Sequence, residues 1–145
     1  MYKSILIPTD GTEFCERAIN HGIKLAKLSG AKVIGLTVAM PLHTGTPSGM
    51  IPAEIKGIIH AEMVKEADAK LAVVKKAADA AGVPVELVRQ TEDHPWEAIV
   101  QTAKTKGSDL IVMASHGRRG VSAMILGSET QKVLTHSTVP VLVVR

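Results

Sequence analysis

The chain has 145 residues, enough for one domain around one core, and its aromatic share is only 2%, so that core must be built from Ala, Val, Ile and Leu. The net charge is a mild +3 and no Lys/Arg cluster is interleaved with aromatics, which argues against nucleic-acid binding as the main function. One cysteine, Cys15, rules out an internal disulfide. No Cys/His metal spacing, no apolar run of membrane-spanning length and no signal peptide is visible, so a soluble cytoplasmic protein with no membrane partner is expected.

Ile5 to Pro8 reads as a short aliphatic strand and Thr9-Asp10-Gly11-Thr12 as a turn. Phe14, Ala18, Ile19, Gly22, Ile23 and Ala26 then recur on one helical face, with Gly30 as a C-terminal stop. Val33 to Val38 is the second strand, which completes a strand-helix-strand unit with a right-handed crossover. Met40 to Pro52 holds three prolines and two glycines. Regular structure is not expected there, and the segment is placed as a mobile lid near the carboxyl ends of the strands.

From Ala53 the pattern is helical again. Ile55, Ile59, Met63, Ala67, Leu71, Val74, Ala78 and Ala81 form one stripe, stopped by Gly82 and Pro84, with Gly57 as a kink or late start. Val85 to Val88 is the third strand. Asp93-His94-Pro95 opens a helix with proline at its first position, and Trp96, Ile99, Val100 and Ala103 form its apolar face up to Gly107. Leu110 to Ala114 is the fourth strand, and Val139 to Val144 the fifth. Five strands alternating with four helices give a single α/β domain over 1–145, an open parallel sheet with helices on both faces.

The stretch Asp109 to Thr130 carries the chemistry. The fourth strand ends abruptly in Ser115-His116-Gly117, and nine residues later come Gly127 and Ser128. Ser128 and Gln131 have the spacing of a capping box, so a helix starts there with Ser128 as its cap. Strand, glycine-bearing loop and helix N-terminus form a natural place for a phosphate, because bare N–H groups and the positive end of the helix dipole converge on it. Asp10, directly after the first strand, has two readings: an acceptor for adenine or ribose groups, or the carboxylate of a local Asx-turn. His116 reads as a loop histidine rather than a general base, Cys15 as a packed thiol and Trp96 as core.

Ala114-Ser115-His116-Gly117, nine residues, then Gly127-Ser128 resembles the nucleotide-binding signature of the universal stress protein family, Gly-x-x-Gly, nine residues, Gly-Ser/Thr. Ala114 stands where the signature has its first glycine. The opening K-S-I-L-I-P-T-D-G-T and the closing V-P-V-L-V-V are similar to the family's ends, so the resemblance spans the chain. It implies a sheet ordered 3-2-1-4-5, with strands 1 and 4 beside the topological switch point where such sheets bind ligands. It also implies ATP, with Mg²⁺, as a regulatory ligand in a stress response, and a homodimer formed through strand 5, Val139 to Val144.

The residues carried over for the nucleotide are Pro8, Thr9 and Asp10, Val38, Met113 and Ala114, Gly117 and Arg118, and Gly127, Ser128, Glu129 and Thr130. Two of these speak against it. The Ala114 methyl either is absorbed by a small shift or blocks close approach of the ribose, and the Glu129 carboxylate would repel a triphosphate unless a divalent cation lay between them. Arg118 and Arg119 would offset that repulsion, or else stand as solvated loop residues. The alternatives are a nucleotide-free homodimeric interaction module and a slow ATP hydrolase. No phosphate-loop, dinucleotide, nucleophile-elbow or zinc-protease motif occurs, and no catalytic set is visible.

Overall fold

The computed structural model describes residues 1–42, 48–117 and 126–145. Its elements run β1 (Ser4–Pro8), α1 (Glu13–Ser29), β2 (Lys32–Ala39), a single 3₁₀ turn (Ser48–Met50), α2 (Ala53–Ala81), β3 (Val85–Thr91), α3 (Pro95–Thr105), β4 (Leu110–Ala114), α4 (Ser128–His136) and β5 (Val141–Val144). The five strands form one sheet in the order β3-β2-β1-β4-β5, and every pairing is parallel. The switch point therefore lies between β1 and β4, where Ile5 and Leu6 pair with Leu110 and Ile111.

Strand alternation divides the core into two layers. Ile5, Ile7, Val33, Leu110 and Val112 face α1 and α2, together with Ile19, Ile23, Val74 and Ala78. Leu6, Ile34, Leu36, Ile111 and Met113 face α3 and α4, meeting Ile99, Ala103 and Val133. Most of these side chains are fully buried, and each Val, Leu, Ile and Met contributes roughly 1.5–3 kcal/mol of burial free energy. Glycine is required where helices come closest. A Cβ on Gly22 would lie 2.6 Å from Ile7 Cδ1, and one on Gly35 would lie 3.0 Å from Val74 Cγ1.

Several boundaries and faces differ from the sequence reading. β5 begins at Val141, because Pro140 has no N–H to give and contributes its carbonyl instead, accepting the Ile111 N–H at 3.0 Å. β3 runs on to Thr91, paired with β2 as far as Ala39. α2 passes through Gly57 without a break. Its apolar stripe, however, is buried only at Ala67, Leu71, Val74 and Ala78. A helix of 29 residues is about 43 Å long, against about 26 Å for the 8 residues of β2, so its first turns stand beyond the sheet and leave Ile55 and Ile58 exposed. Phe14 is exposed rather than core, and Cys15 takes the buried place beside it. In the segment assigned as a lid, Ser48–Met50 forms the 3₁₀ turn, while residues 43–47 lie outside the described residues.

The start of the chain is fixed by Asp109, just before β4. Its carboxylate accepts the Lys3 N–H at 2.8 Å and the Ser4 N–H at 3.0 Å. Burial pushes its acidity down, but those backbone donors outweigh that, and its pKa lies below the usual aspartate value.

Candidate functional site

The tips of β1 and β4 meet at the carboxyl end of the sheet. Beyond β1, the Thr9 N–H donates to Leu36 O at 2.8 Å, and its Oγ1 accepts the Gly11 N–H at 3.2 Å. Gly11 has φ of 84°, a conformation that needs glycine. Asp10 Oδ1 accepts the Thr12 N–H at 2.9 Å, which is the Asx-turn, and the Cys15 thiol at 3.1 Å. The other oxygen, Oδ2, reaches the tip of β4: a Cβ placed on Gly117 would lie 2.6 Å from it. Gly117 is thus glycine because the Asp10 carboxylate packs against its backbone. Burial, followed by the charge of Asp10, pushes the Cys15 thiol up, which keeps it protonated as a donor.

On the other side of the cleft, α4 is bolted to the end of β4. The Gly127 N–H donates to Ser115 O at 2.8 Å, and the Thr130 hydroxyl donates to Ala114 O at 3.0 Å and lies 3.4 Å from Ser115 O. Gly127, with φ of −59° and ψ of 148°, occupies the cap position, and no side chain of its own caps the helix. Ser128 is therefore the first helical residue, exposed, and not the cap. The capping box is replaced by a bond from Gln131 Nε2 to Leu126 O at 2.8 Å. The cause is the anchor at Ser115, which fixes Gly127 as the last extended residue and starts the helix immediately after it.

The carried-over residues sort by face. Val38 and Met113 belong to the α3/α4 layer, as does Pro8 by alternation from Leu6. They stand together as apolar ground beside the cleft. Ala114 belongs to the opposite layer, where it packs with Cys15 and Ala18 at 5% exposure. Its methyl fills the core under α1 and is not available to crowd a ligand. Glu129 is committed elsewhere too. Its Oε2 accepts the Trp96 N–H at 2.8 Å and its Oε1 accepts Lys132 Nζ at 3.1 Å, so it caps α3 instead of facing the cleft. Trp96 itself is half-buried, its ring 4.4 Å from that of His136. Arg118 and Arg119 lie outside the described residues.

Three residues contribute to the cleft in ways the sequence reading did not assign. Cys15 is a donor to Asp10 as well as a packed thiol. His116 is buried, with Nδ1 3.0 Å from Ser115 Oγ and its ring 5.9 Å from Phe14. Lys70 of α2 lies over Gly11 and pairs with Glu66 at 2.7 Å, forming the wall of an open cleft of about 300 Å³ beside Asp10. The i, i+4 spacing of Glu66 and Lys70 was legible, but their position over the β1 turn was not. Among the described residues, no group of three or more His, Cys, Asp or Glu could hold a metal ion, and no helix is long and apolar enough to cross a membrane.

A parallel sheet in this order, with a glycine at the helix entry beside its switch point, defines a doubly wound α/β architecture, a class whose ligands bind at that point. Comparison with known proteins narrows this. The universal stress protein family matches the chain over residues 1–145, and the protein belongs to that family. It is 36% identical to universal stress protein MJ0531 of Methanocaldococcus jannaschii over 146 residues, covering 100% of this chain and 83% of that one. It is 32% identical to universal stress protein YxiE of Bacillus subtilis over the full length of both, 100% of each. Among solved structures, MJ0577 superimposes with a TM-score of 0.83 at 34% identity, covering 99% of this chain and 96% of that one. A universal stress protein in complex with cAMP superimposes with a TM-score of 0.75 at 25% identity, covering 99% and 97%.

Proposed function

We propose that the protein binds an adenine nucleotide, ATP with Mg²⁺ in its fullest form, as a regulatory ligand at the carboxyl ends of β1 and β4. The observation that carries this reading is the entry of α4. Among the described residues its N-terminus has no side-chain cap, yet it is held against the strand tip by Gly127 N and Thr130 Oγ1. An anion is the natural partner for such an end. Asp10 stands opposite, placed by Thr12 and Cys15 to accept from adenine or ribose, and Pro8, Val38 and Met113 offer apolar contact to the base. The relative solved with cAMP supports an adenine nucleotide.

The nucleotide-free alternative drew on Ala114 and Glu129. The first is buried in the core and the second is bonded to α3, so neither obstructs the cleft. Hydrolysis would be slow at most, since His116 Nδ1 is already engaged by Ser115. Calorimetry with ATP and Mg²⁺, beside adenosine, tests the reading. Binding in the low micromolar range or weaker, with adenosine weaker still, is the expected result. No heat and no shift in melting temperature with ATP would overturn it in favour of an interaction module.

We also propose a homodimer through β5. It is an edge strand of four half-buried aliphatic residues, and a two-fold copy running antiparallel would satisfy its free backbone groups. Val143→Lys places a charge and its symmetry mate in that interface and shifts the protein to monomer by light scattering. A wild type already monomeric at micromolar concentration overturns the proposal.

A further inference from the structure

Glu129 is the second residue of α4, in the same turn that the nucleotide reading assigns to phosphate. Its carboxylate is nevertheless fully used on the far side of that turn, by the Trp96 N–H of α3 at 2.8 Å and by Lys132 Nζ at 3.1 Å. Trp96 lies in the first turn of α3, where no side chain from His94 caps the helix. The Glu129 carboxylate therefore serves as the cap of α3, supplied from another helix, and the positive end of the α3 dipole and the Lys132 ammonium both compensate its charge. The indole of Trp96 then reaches the last residue of α4, stacking on His136 at 4.4 Å. His136 is turned by its own bond, Nδ1 to Lys132 O at 2.8 Å. One residue of α3 thus touches α4 at both ends.

We propose that Glu129 is a positioning residue for the nucleotide: by capping α3 it braces the first turn of α4 from behind, and so fixes where the open N–H groups of that turn meet phosphate. This rests on the nucleotide reading given above. The other anchors, Gly127 N and Thr130 Oγ1, hold the turn only to the tip of β4. Val133 buries the middle of α4 against the α3 side of the sheet, but among the described residues the Glu129 carboxylate makes the hydrogen bond that ties the first turn itself to α3. With that bond the turn is held on two sides. The carboxylate that the sequence alone sets against phosphate thus favours its binding, because its charge is spent on the neighbouring helix.

The test compares Glu129→Gln, which keeps an acceptor of the same reach, with Glu129→Ala and with Glu129→Asp, which keeps the charge but falls one methylene short. Calorimetry with ATP and with adenosine is paired with the ligand-free emission of Trp96, the chain's one tryptophan. The inference expects Ala and Asp to weaken ATP about fivefold, the scale of a helix-end interaction, with adenosine unchanged and Trp96 emission altered, while Gln stays within about twofold of wild type on every readout. ATP binding at or above wild-type strength in Ala and Asp overturns it. So does an equal loss for ATP and adenosine, or a Gln variant as weak as Ala. Should the wild type bind no ATP, the nucleotide reading has failed and the positioning role falls with it; the brace itself is then judged by Trp96 emission, which must change in Ala and Asp but not in Gln.

Discussion

Of the helices that begin at the carboxyl end of this parallel sheet, α3 and α4 begin differently. α3 is closed: Pro95 at its start has no N–H to leave bare, and the Trp96 N–H is taken by a carboxylate from α4. α4 is open: glycine holds its cap position and, among the described residues, no side chain caps it. Both ends carry the same dipole, so the dipole by itself cannot choose where an anion binds. What differs is that one end already holds a carboxylate. Glu129 closes one helix while belonging to the other, and that single side chain separates a structural helix end from a candidate binding one.

The comparison is broken most completely by closing the open end. Gly127→Asp puts a carboxylate at the cap of α4, a residue type that caps helices well, so the fold should survive. A Cβ there would lie 3.3 Å from Ser115 O, a tight contact that requires a shift of a few tenths of an ångström. We expect ATP affinity to fall by about thirtyfold or more, near 2 kcal/mol for a charge at a partly buried helix end, with a melting temperature within a few degrees of wild type. Calorimetry and thermal denaturation on the same sample check the pair of outcomes. Retained ATP binding would mean that phosphate does not meet this helix.

Opening the closed end is the next largest change. Glu129→Val removes the cap of α3, and a loss of about 1–2 kcal/mol in urea denaturation is the expected size for a lost helix cap. The same variant should not bind ATP more tightly. Tighter binding would show that the carboxylate had opposed phosphate directly.

A third carboxylate gives the control. Asp109 also serves backbone N–H groups, those of Lys3 and Ser4, but at the opposite end of the sheet. Its pKa is depressed in the folded state, so its contribution is present above the unfolded aspartate value of about 4 and is lost as pH falls through the lower folded value. Asp109→Asn should be less stable than wild type at pH 7, converge with it as pH falls below the depressed folded-state value, and leave ATP affinity unchanged. The group is partly exposed, which keeps the effect at about 1 kcal/mol or below. A stability difference that persists undiminished at low pH would assign the loss to packing instead of charge.

The architecture was legible before any coordinate. Continuous aliphatic runs such as Leu110 to Ala114 imply strands buried on both faces, and 3.6-residue stripes ended by Gly30 and Gly82 imply helices that stop where they do. These are local signals, written in neighbouring residues. The glycines of the cleft were legible for the same reason, since Gly117 and Gly127 stand at fixed distances from the end of a strand. What the sequence could not supply was direction. Ala114 and Glu129 both sit inside the signature, and from sequence both point at the ligand. Strand alternation turns the Ala114 methyl under α1, and the packing of α4 on α3 brings Trp96, 33 residues away in the chain, onto the Glu129 carboxylate. The capping box failed in the same way, because a backbone bond from Gly127 to Ser115 set the start of α4 before the Ser128 hydroxyl could. The chain alone therefore determined the elements and the place where they converge. Which side chains face that place was decided by contacts between residues far apart in sequence, and no local pattern records those.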